Sequence, residues 1–137
     1  TIGRSFYMGV DPIMEQNNAI YREQSHLIQE FAEKSDCVIV GRSADYILRE
    51  KHPFRLFVYA EMEHKMERCK KRAPESEHFT DKELKRHILD VDKRRARYYQ
   101  FFTGQTWGDR LNYDLCINTS NYDIKELVHA IAHLVEA

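Results

Sequence analysis

The segment CVIVGRSADYIL, residues 37–48, decides how the fold is interpreted. Its first four residues are apolar, three of them are β-branched, and polar side chains do not alternate with them. Such a run is typical of a strand that is buried on both faces of a parallel sheet. Gly41 ends the run, and residues 43–50 have the pattern of a short helix. The segment therefore predicts a strand, a tight turn and a helix in succession.

Two more apolar runs, RLFVYA at 55–60 and LCI at 115–117, predict two further strands. Apolar residues at helical spacing predict long helices over 12–34, over 61–72, and after the N-cap residues Thr80 and Asp123. Strands that alternate with such helices predict a doubly wound parallel sheet. That sheet usually has about five strands, so the three predicted here leave it incomplete. The last helix is expected to bury an apolar face made of Ile124, Leu127, Val128, Ile131, Leu134 and Val135.

The chain has 137 residues, 42% of them hydrophobic, and a formal net charge of −1, as expected for one folded domain and not for a disordered chain. No apolar run is long enough to span a bilayer, and no secretion leader is visible. The three cysteines are too far apart for a disulfide framework or a zinc knuckle. We expect Cys37 and Cys116 to act as small core residues, and the protein to be cytoplasmic.

Residues 65–97 form a basic block with twelve Lys or Arg residues against seven Asp or Glu residues. The block favours a focused anion site. Two alternatives remain open. The block is a solvated helix face with i,i+4 ion pairs, such as Glu67 with Lys71, or it binds nucleic acid with a steep dependence on salt.

In parallel sheets, ligands bind beyond the carboxyl ends of the strands. Arg42 follows the first predicted strand, and its guanidinium is a bidentate donor for phosphate. Arg68 and Arg72 lie four residues apart on one helix face, and the next helix carries further arginines. Arginines that converge from separate elements suit phosphoryl transfer, which depends on positioning and on neutralising charge.

Three other patterns have a functional and a structural interpretation. His129 and His133 have the spacing of a zinc pair but lack a third ligand, so no metal site is predicted. The aromatic residues of 98–102 could stack on bases, although packing of that helix into the core is favoured. Trp107 either shapes the ligand site or covers the core, and both interpretations stay open.

Four segments together resemble the cytidylate kinase-like family: CVIVGRSADYIL (37–48), RLFVYA (55–60), VDKRRARYYQFFTGQTWGD (91–109) and YDLCINTS (113–120). The resemblance extends from about Asn17 to the carboxyl end of the chain. It implies one P-loop nucleoside monophosphate kinase-like domain over 1–137, with a three-layer α/β fold, five parallel strands and a mobile lid at about 73–97.

The resemblance also implies roles for individual residues. It implies contacts with the acceptor nucleotide at Arg42 and Asp45. It implies contacts with ATP, including a turn at the edge of the adenine, at Arg68, Asn118, Thr119 and Ser120. It implies catalytic roles, along ATP and in the lid, for Arg72, Asp92 and Arg95.

The sequence departs from this family pattern at one important point. A kinase of this class needs a Gly-rich loop, and no G-x-x-x-x-G-K-[ST] motif occurs in the 137 residues. We expect that residues are missing between Arg4 and Ser5, where the loop and part of the acceptor site would lie; the alternative is a chain that begins beyond the loop. We further expect Thr1–Arg4 to form the central strand between 37–40 and 55–60.

The sequence thus predicts a phosphotransferase that uses ATP and Mg²⁺ and whose partners are small nucleotides, with neither a membrane nor a nucleic acid as partner. The alternative is a non-catalytic nucleotide-binding or sensing protein of the same fold. The acceptor base and the formation of a homo-oligomer are left open by the sequence.

Overall fold

Residues 12–74 and 78–136 are described by the computed structural model of the protein, which divides into two units, Thr1–His52 and Pro53–Ala137. In the first unit, helix α1 spans Pro12–Lys34, as the apolar spacing predicted. The short helix α2, Ala44–Ile47, is followed by a 3-10 turn, Arg49–Lys51. This confirms the helical pattern of 43–50.

The core of the first unit lies between α1 and α2. Ile28 of α1 is buried with Ala44 and Leu48, and further apolar side chains pack around these three: Ala32, Ile39 and Ile47. Only a narrow stripe of α1 is covered within this unit, since Leu27 and Phe31 remain half-exposed.

The prediction of a buried strand at 37–40 is wrong for this structure. The segment is assigned no strand, and Val38 and Val40 are 94% and 89% exposed, whereas Ile39 contacts the core. A strand exists only where a neighbour completes its backbone hydrogen bonds. Within the described residues no strand pairs with 37–40, so this β-branched run does not form a strand. Cys37 is consequently exposed and is not the core residue that was expected.

The second unit contains a two-stranded parallel sheet. Strand β1 spans Leu56–Tyr59 and strand β2 spans Leu115–Asn118, with Leu56 opposite Leu115 and Tyr59 opposite Asn118. A parallel pair needs a long crossover connection between its strands. Here the connection contains two helices, α3 (Met62–Arg72) and α4 (Asp81–Thr103). Both predicted strands of this unit, and the two predicted helices between them, are confirmed.

Helix α4 begins after the N-cap residue Thr80, as predicted. The Thr80 hydroxyl accepts from the Glu83 backbone N–H at 3.2 Å, and the Glu83 carboxylate accepts from the Thr80 N–H at 2.9 Å. The helix ends at Gly104, whose φ of +70° suits glycine. Its buried face consists of Leu84, Ile88, Tyr99 and Thr103.

One face of β1 is covered by aromatic rings. Phe57 meets Trp107 edge-on at 5.2 Å between ring centroids and Tyr113 at 4.9 Å. Gly108, at φ +83°, lies so close to Phe57 that a Cβ there would be 3.1 Å from the ring. This packing favours the interpretation of Trp107 as a residue that covers the core.

Helix α5 spans Ile124–Glu136 after the Asp123 cap, whose carboxylate accepts from the N–H groups of Lys125 and Glu126 at 2.8 and 3.3 Å. Its predicted buried face is not buried: Ile124, Val128, Leu134 and Val135 are 48–57% exposed. An amphipathic pattern shows which face can be buried, but burial needs a surface opposite it. The described parts of the chain do not supply that surface.

The mixed α/β class and the parallel pairing are therefore confirmed, while the five-stranded three-layer sheet stays a prediction because the described residues contain two strands. The predicted central strand Thr1–Arg4 lies outside the described residues, as does part of the predicted lid, 75–77. Among the helices described, none is both long and apolar enough to cross a membrane.

Candidate functional site

The carboxyl ends of β1 and β2 are joined by Thr119, the residue that follows β2. Its backbone N–H donates to the carbonyl of Tyr59 at 2.9 Å, and its hydroxyl donates to the same carbonyl at 3.1 Å. Thr119 is 3% exposed and Ser120 is 7% exposed. Two neighbouring polar residues are therefore buried at the edge of the sheet where parallel α/β folds bind ligands.

The turn 118–120 is held by its own side chains. The Asn118 carbonyl oxygen Oδ1 accepts from the Ser120 backbone N–H at 3.0 Å and from the Ser120 hydroxyl at 2.7 Å. The Ser120 oxygen in turn accepts from the backbone N–H of Glu61, just before α3, at 2.8 Å. The backbone N–H and the hydroxyl of Ser120 thus both have partners, as burial requires.

Arg68 on α3 reaches the same turn with both terminal nitrogens of its guanidinium. One donates to the Thr119 hydroxyl oxygen at 2.8 Å, and the other donates to the Thr119 carbonyl at 2.7 Å. The four residues predicted to bind ATP, Arg68, Asn118, Thr119 and Ser120, are therefore brought together in one hydrogen-bonded group.

A second group links α3 to α4. The Lys65 ammonium donates to the Asp92 carboxylate at 2.6 Å, and Arg95 approaches the other oxygen of that carboxylate at 3.6 Å. Asp92 is 23% exposed and Lys65 is 31% exposed, so this ion pair is half-buried. The predicted catalytic residues Asp92 and Arg95 are thus in contact. Arg72, the third, lies exposed in the last turn of α3.

Lys65 is the site residue that the sequence reasoning missed. It precedes Arg68 by three residues, so the two side chains leave the same face of α3. One face of α3 therefore donates hydrogen bonds both to the turn after β2 and to Asp92 of α4. That spacing was available in the sequence, but the acidic partner on α4 was not identifiable without the tertiary structure.

Arg42 and Asp45, the predicted acceptor-binding residues, belong to the first unit. Gly41, Arg42 and Ser43 have φ values of +73°, +55° and +56°, a run of three left-handed residues. For each non-glycine residue this backbone costs roughly 1–2 kcal/mol and persists only where the surroundings impose it. Arg42 is exposed, whereas Ser43 is 4% exposed and Asp45 lies half-buried in the first turn of α2.

Four of the twelve basic residues of the block form ion pairs with acidic residues of the same block in the described part of the chain. Besides Lys65 and Arg95 with Asp92, Lys71 pairs with Glu67 at 2.8 Å, and Lys70 pairs with Asp81 at 2.6 Å. The Lys71 ammonium, through its hydrogen bond and its charge, lowers the pKa of Glu67 below the ordinary glutamate value. The Lys71–Glu67 pair has the predicted i,i+4 spacing, which supports the interpretation of this part of the block as a solvated helix face.

Most aromatic residues of 98–102 take part in the packing of α4. Tyr99 is 4% exposed and donates to Gln105 at 2.9 Å, and Tyr98 packs on Phe102 at 4.7 Å between ring centroids. Phe101 is half-exposed. Helix packing therefore accounts for most of this aromatic segment. Across 12–74 and 78–136 no group of three His, Cys, Asp or Glu side chains could hold a metal ion.

The structure thus defines an α/β protein in which two buried polar residues, Thr119 and Ser120, lie at the carboxyl ends of parallel strands. The sequence model of the cytidylate kinase-like family matches residues 2–121, and the chain belongs to that family. A search of curated proteins finds no significant match.

A solved structure is similar over most of the chain. It is a crystal structure of an uncharacterized protein from Eubacterium ventriosum ATCC 27560, with a TM-score of 0.76 and 28% sequence identity. The alignment covers 92% of this chain and 68% of that protein. The family membership predicted from four sequence segments is confirmed, and the fold is shared with this neighbour.

Proposed function

We propose that the protein is a nucleotide kinase-like phosphotransferase that moves the γ-phosphoryl group of ATP to a nucleoside monophosphate, cytidylate-like, or to a similar small acceptor. The observation that carries the proposal is the hydrogen-bonded group of Arg68 and the turn 118–120 at the carboxyl ends of the strands, in a member of the cytidylate kinase-like family. In this proposal the turn meets the adenine.

The reaction needs no protein nucleophile. An oxygen of the acceptor phosphate forms the new bond to the γ-phosphorus, the bond from that phosphorus to the β,γ-bridging oxygen breaks, and ADP leaves. The protein contributes positioning and positive charge. In the proposal, Arg42 and Asp45 hold the acceptor. Arg72 and Arg95 stabilise the charge on the transferred group, and Asp92 keeps Arg95 and Lys65 in place.

Magnesium belongs to the proposal as part of the Mg-ATP complex. Mg²⁺ commonly binds through substrate phosphates and a small number of protein oxygens. The described residues hold no cluster of acidic or histidine ligands for it, and the sequence lacks the Gly-rich loop whose Ser or Thr would ligate it. The residues present therefore do not fit a protein-bound magnesium, and no step of the mechanism depends on one.

The proposal is tested on the full chain encoded by the gene, with ADP formation measured in the presence of Mg-ATP and each of CMP, dCMP, UMP, AMP and GMP. We expect ADP formation that depends on the acceptor and is fastest with a pyrimidine monophosphate. The Arg72→Ala and Arg95→Ala variants should lose turnover, whereas Arg110→Ala, a matched arginine in the 3-10 turn before β2, should keep it.

A second candidate function is nucleotide binding without turnover, which the absence of a G-x-x-x-x-G-K-[ST] motif from the 137 residues favours. Saturable ATP binding without acceptor-dependent ADP formation would establish this second function. If neither ATP binding nor turnover is detected, both candidates are wrong.

A further inference from the structure

Among the described residues, the guanidinium of Arg68 donates hydrogen bonds to Thr119 alone. Both of its terminal nitrogens donate to Thr119, one to the hydroxyl oxygen and one to the carbonyl, at 2.8 and 2.7 Å. These are charge-assisted hydrogen bonds, which are stronger than neutral ones. Thr119 is 3% exposed, so the bonds end at a buried acceptor. The planar fork of arginine matches two acceptors of one residue in a way that lysine cannot.

The hydrogen bonds of Arg68 complete a set of restraints on the turn 118–120. The Thr119 hydroxyl donates its proton to the Tyr59 carbonyl, which leaves its lone pairs to accept from Arg68. Ser120 is held independently by Glu61 and Asn118. Without Arg68, the Thr119 carbonyl would lose a charged donor and the turn would lose its connection to the middle of α3.

We propose that Arg68 is a positioning residue, which fixes the turn 118–120 for the nucleoside part of ATP, and that it does not bind the phosphates. The inference rests on the proposed function, because it takes the turn as the place where the adenine binds. Arg68 acts through Thr119, and the phosphate charge is met by other cations. The affinity for adenosine therefore depends on Arg68 as strongly as the affinity for ATP does.

The test compares dissociation constants of adenosine, ADP and ATP, measured by calorimetry or competition, for the wild type, Arg68→Lys, Thr119→Val and the double variant. Arg68→Lys keeps the charge but cannot make both bonds, and Thr119→Val removes only the hydroxyl. The control is Lys71→Met, which removes one charge from the same helix but lies in the Glu67 ion pair and not at the turn.

We expect Arg68→Lys to weaken all three ligands by the same factor, about tenfold, since one charge-assisted hydrogen bond is lost. The kcat at saturating ATP should stay close to that of the wild type, so the change is in KM. Thr119→Val should weaken the three ligands by a similar factor. In the double variant the two effects should be less than multiplicative, because both substitutions break the same contact. Lys71→Met should change none of the constants.

A loss for Arg68→Lys that increases from adenosine to ATP would overturn the inference, because it would show direct contact with phosphate. Multiplicative effects in the double variant, or unchanged constants in both single variants, would also overturn it. A wild-type protein that binds ATP and adenosine but shows no phosphoryl transfer would contradict the proposed catalytic function while leaving the inference intact. A wild-type protein that binds no adenine ligand would overturn both.

Discussion

The two ends of the β1–β2 pair are fastened in different ways. At the amino end, Asp114 accepts from the Arg55 backbone N–H at 2.7 Å and from two guanidinium nitrogens at 3.3 and 3.2 Å. At the carboxyl end, Thr119 and Ser120 are held by neutral hydrogen bonds and by Arg68. The Arg55 and Asp114 side chains are 35% and 39% exposed, whereas Thr119 and Ser120 are 3% and 7% exposed.

The amino end of the strand pair is therefore held by an exposed charged contact and the carboxyl end by buried polar contacts. An exposed ion pair is screened by water and salt, so it contributes little free energy while it still selects the pairing of the strands. A buried polar group is costly when its partner is removed, and it excludes alternative conformations. We therefore expect substitutions at the carboxyl ends to affect ligand binding and substitutions at the amino end to affect stability slightly.

The largest expected effect lies at Arg42, which follows the apolar segment 37–40. Arg42→Ala should lower kcat/KM of the full chain by at least about 100-fold, as the removal of one electrostatic donor typically does. Alanine also has a Cβ, so the strain of the left-handed backbone at φ +55° is unchanged. Steady-state kinetics with saturating Mg-ATP and a varied acceptor measure the effect.

The matched control is Arg49→Ala in the same unit, where the guanidinium lies 4.1 Å above the ring of Tyr46 and donates to its carbonyl. This variant should keep the wild-type kcat/KM. If Arg42→Ala folds normally and keeps wild-type kinetics, Arg42 is a structural residue and the proposed contact of Arg42 with the acceptor is wrong.

An intermediate effect is expected at Ser120. Ser120→Ala leaves the Glu61 N–H without its acceptor and removes one donor from Asn118, so the free energy of unfolding should fall by about 1–3 kcal/mol. Chemical denaturation with an unchanged m-value would measure this loss.

Ser25→Ala is the control for Ser120, since the Ser25 hydroxyl donates at 2.7 Å only to a carbonyl within the same helix, that of Tyr21. A serine of this kind slightly destabilises a helix, so its replacement should be neutral or slightly stabilising. Equal effects of the two substitutions would show that the turn 118–120 is not specially restrained.

The smallest effect is expected at the amino end. The Arg55 side chain and backbone N–H, by hydrogen bonding, lower the pKa of Asp114 below its ordinary value. A carboxylate with a lowered pKa in the folded state stabilises the protein above the unfolded pKa of about 3.9, and this stabilisation is lost as pH falls through the folded value. Because the pair is more than one third exposed, Asp114→Asn should cost at most about 1 kcal/mol at pH 7.

The measurement is the unfolding free energy of wild type and Asp114→Asn between pH 7 and pH 3. The difference should be constant down to about pH 5 and should shrink below about pH 4. Glu67→Gln, which removes the more exposed ion pair with Lys71, should give a difference in unfolding free energy of the same sign but smaller. A difference between wild type and Asp114→Asn that grows as pH falls would contradict this account.

Much of this architecture could be predicted from local pattern. The bounds of α1, the capping box of Thr80, the Asp123 cap and both paired strands follow from side-chain spacing and backbone donors within a few residues. The four members of the ATP group were also predicted, although through the resemblance to a family. Their mutual hydrogen bonds were not, because residues 51 positions apart in the chain meet only after β1 and β2 pair.

Local sequence by itself determined where helices begin and end, which segments could be strands and which faces are apolar, since these depend on contacts within one or two turns. Only the tertiary structure decided which of these segments pair as strands and which of these apolar faces are buried. The run 37–40 has the composition of a strand but no pairing partner in the described residues, and the apolar face of α5 has no cover there. The Lys65–Asp92 pair and the contact of Arg68 with Thr119 likewise join separate elements. The physical reason is that strand pairing, burial and ion pairing between elements each need a partner from a distant part of the chain. Local sequence describes only one of the two partners.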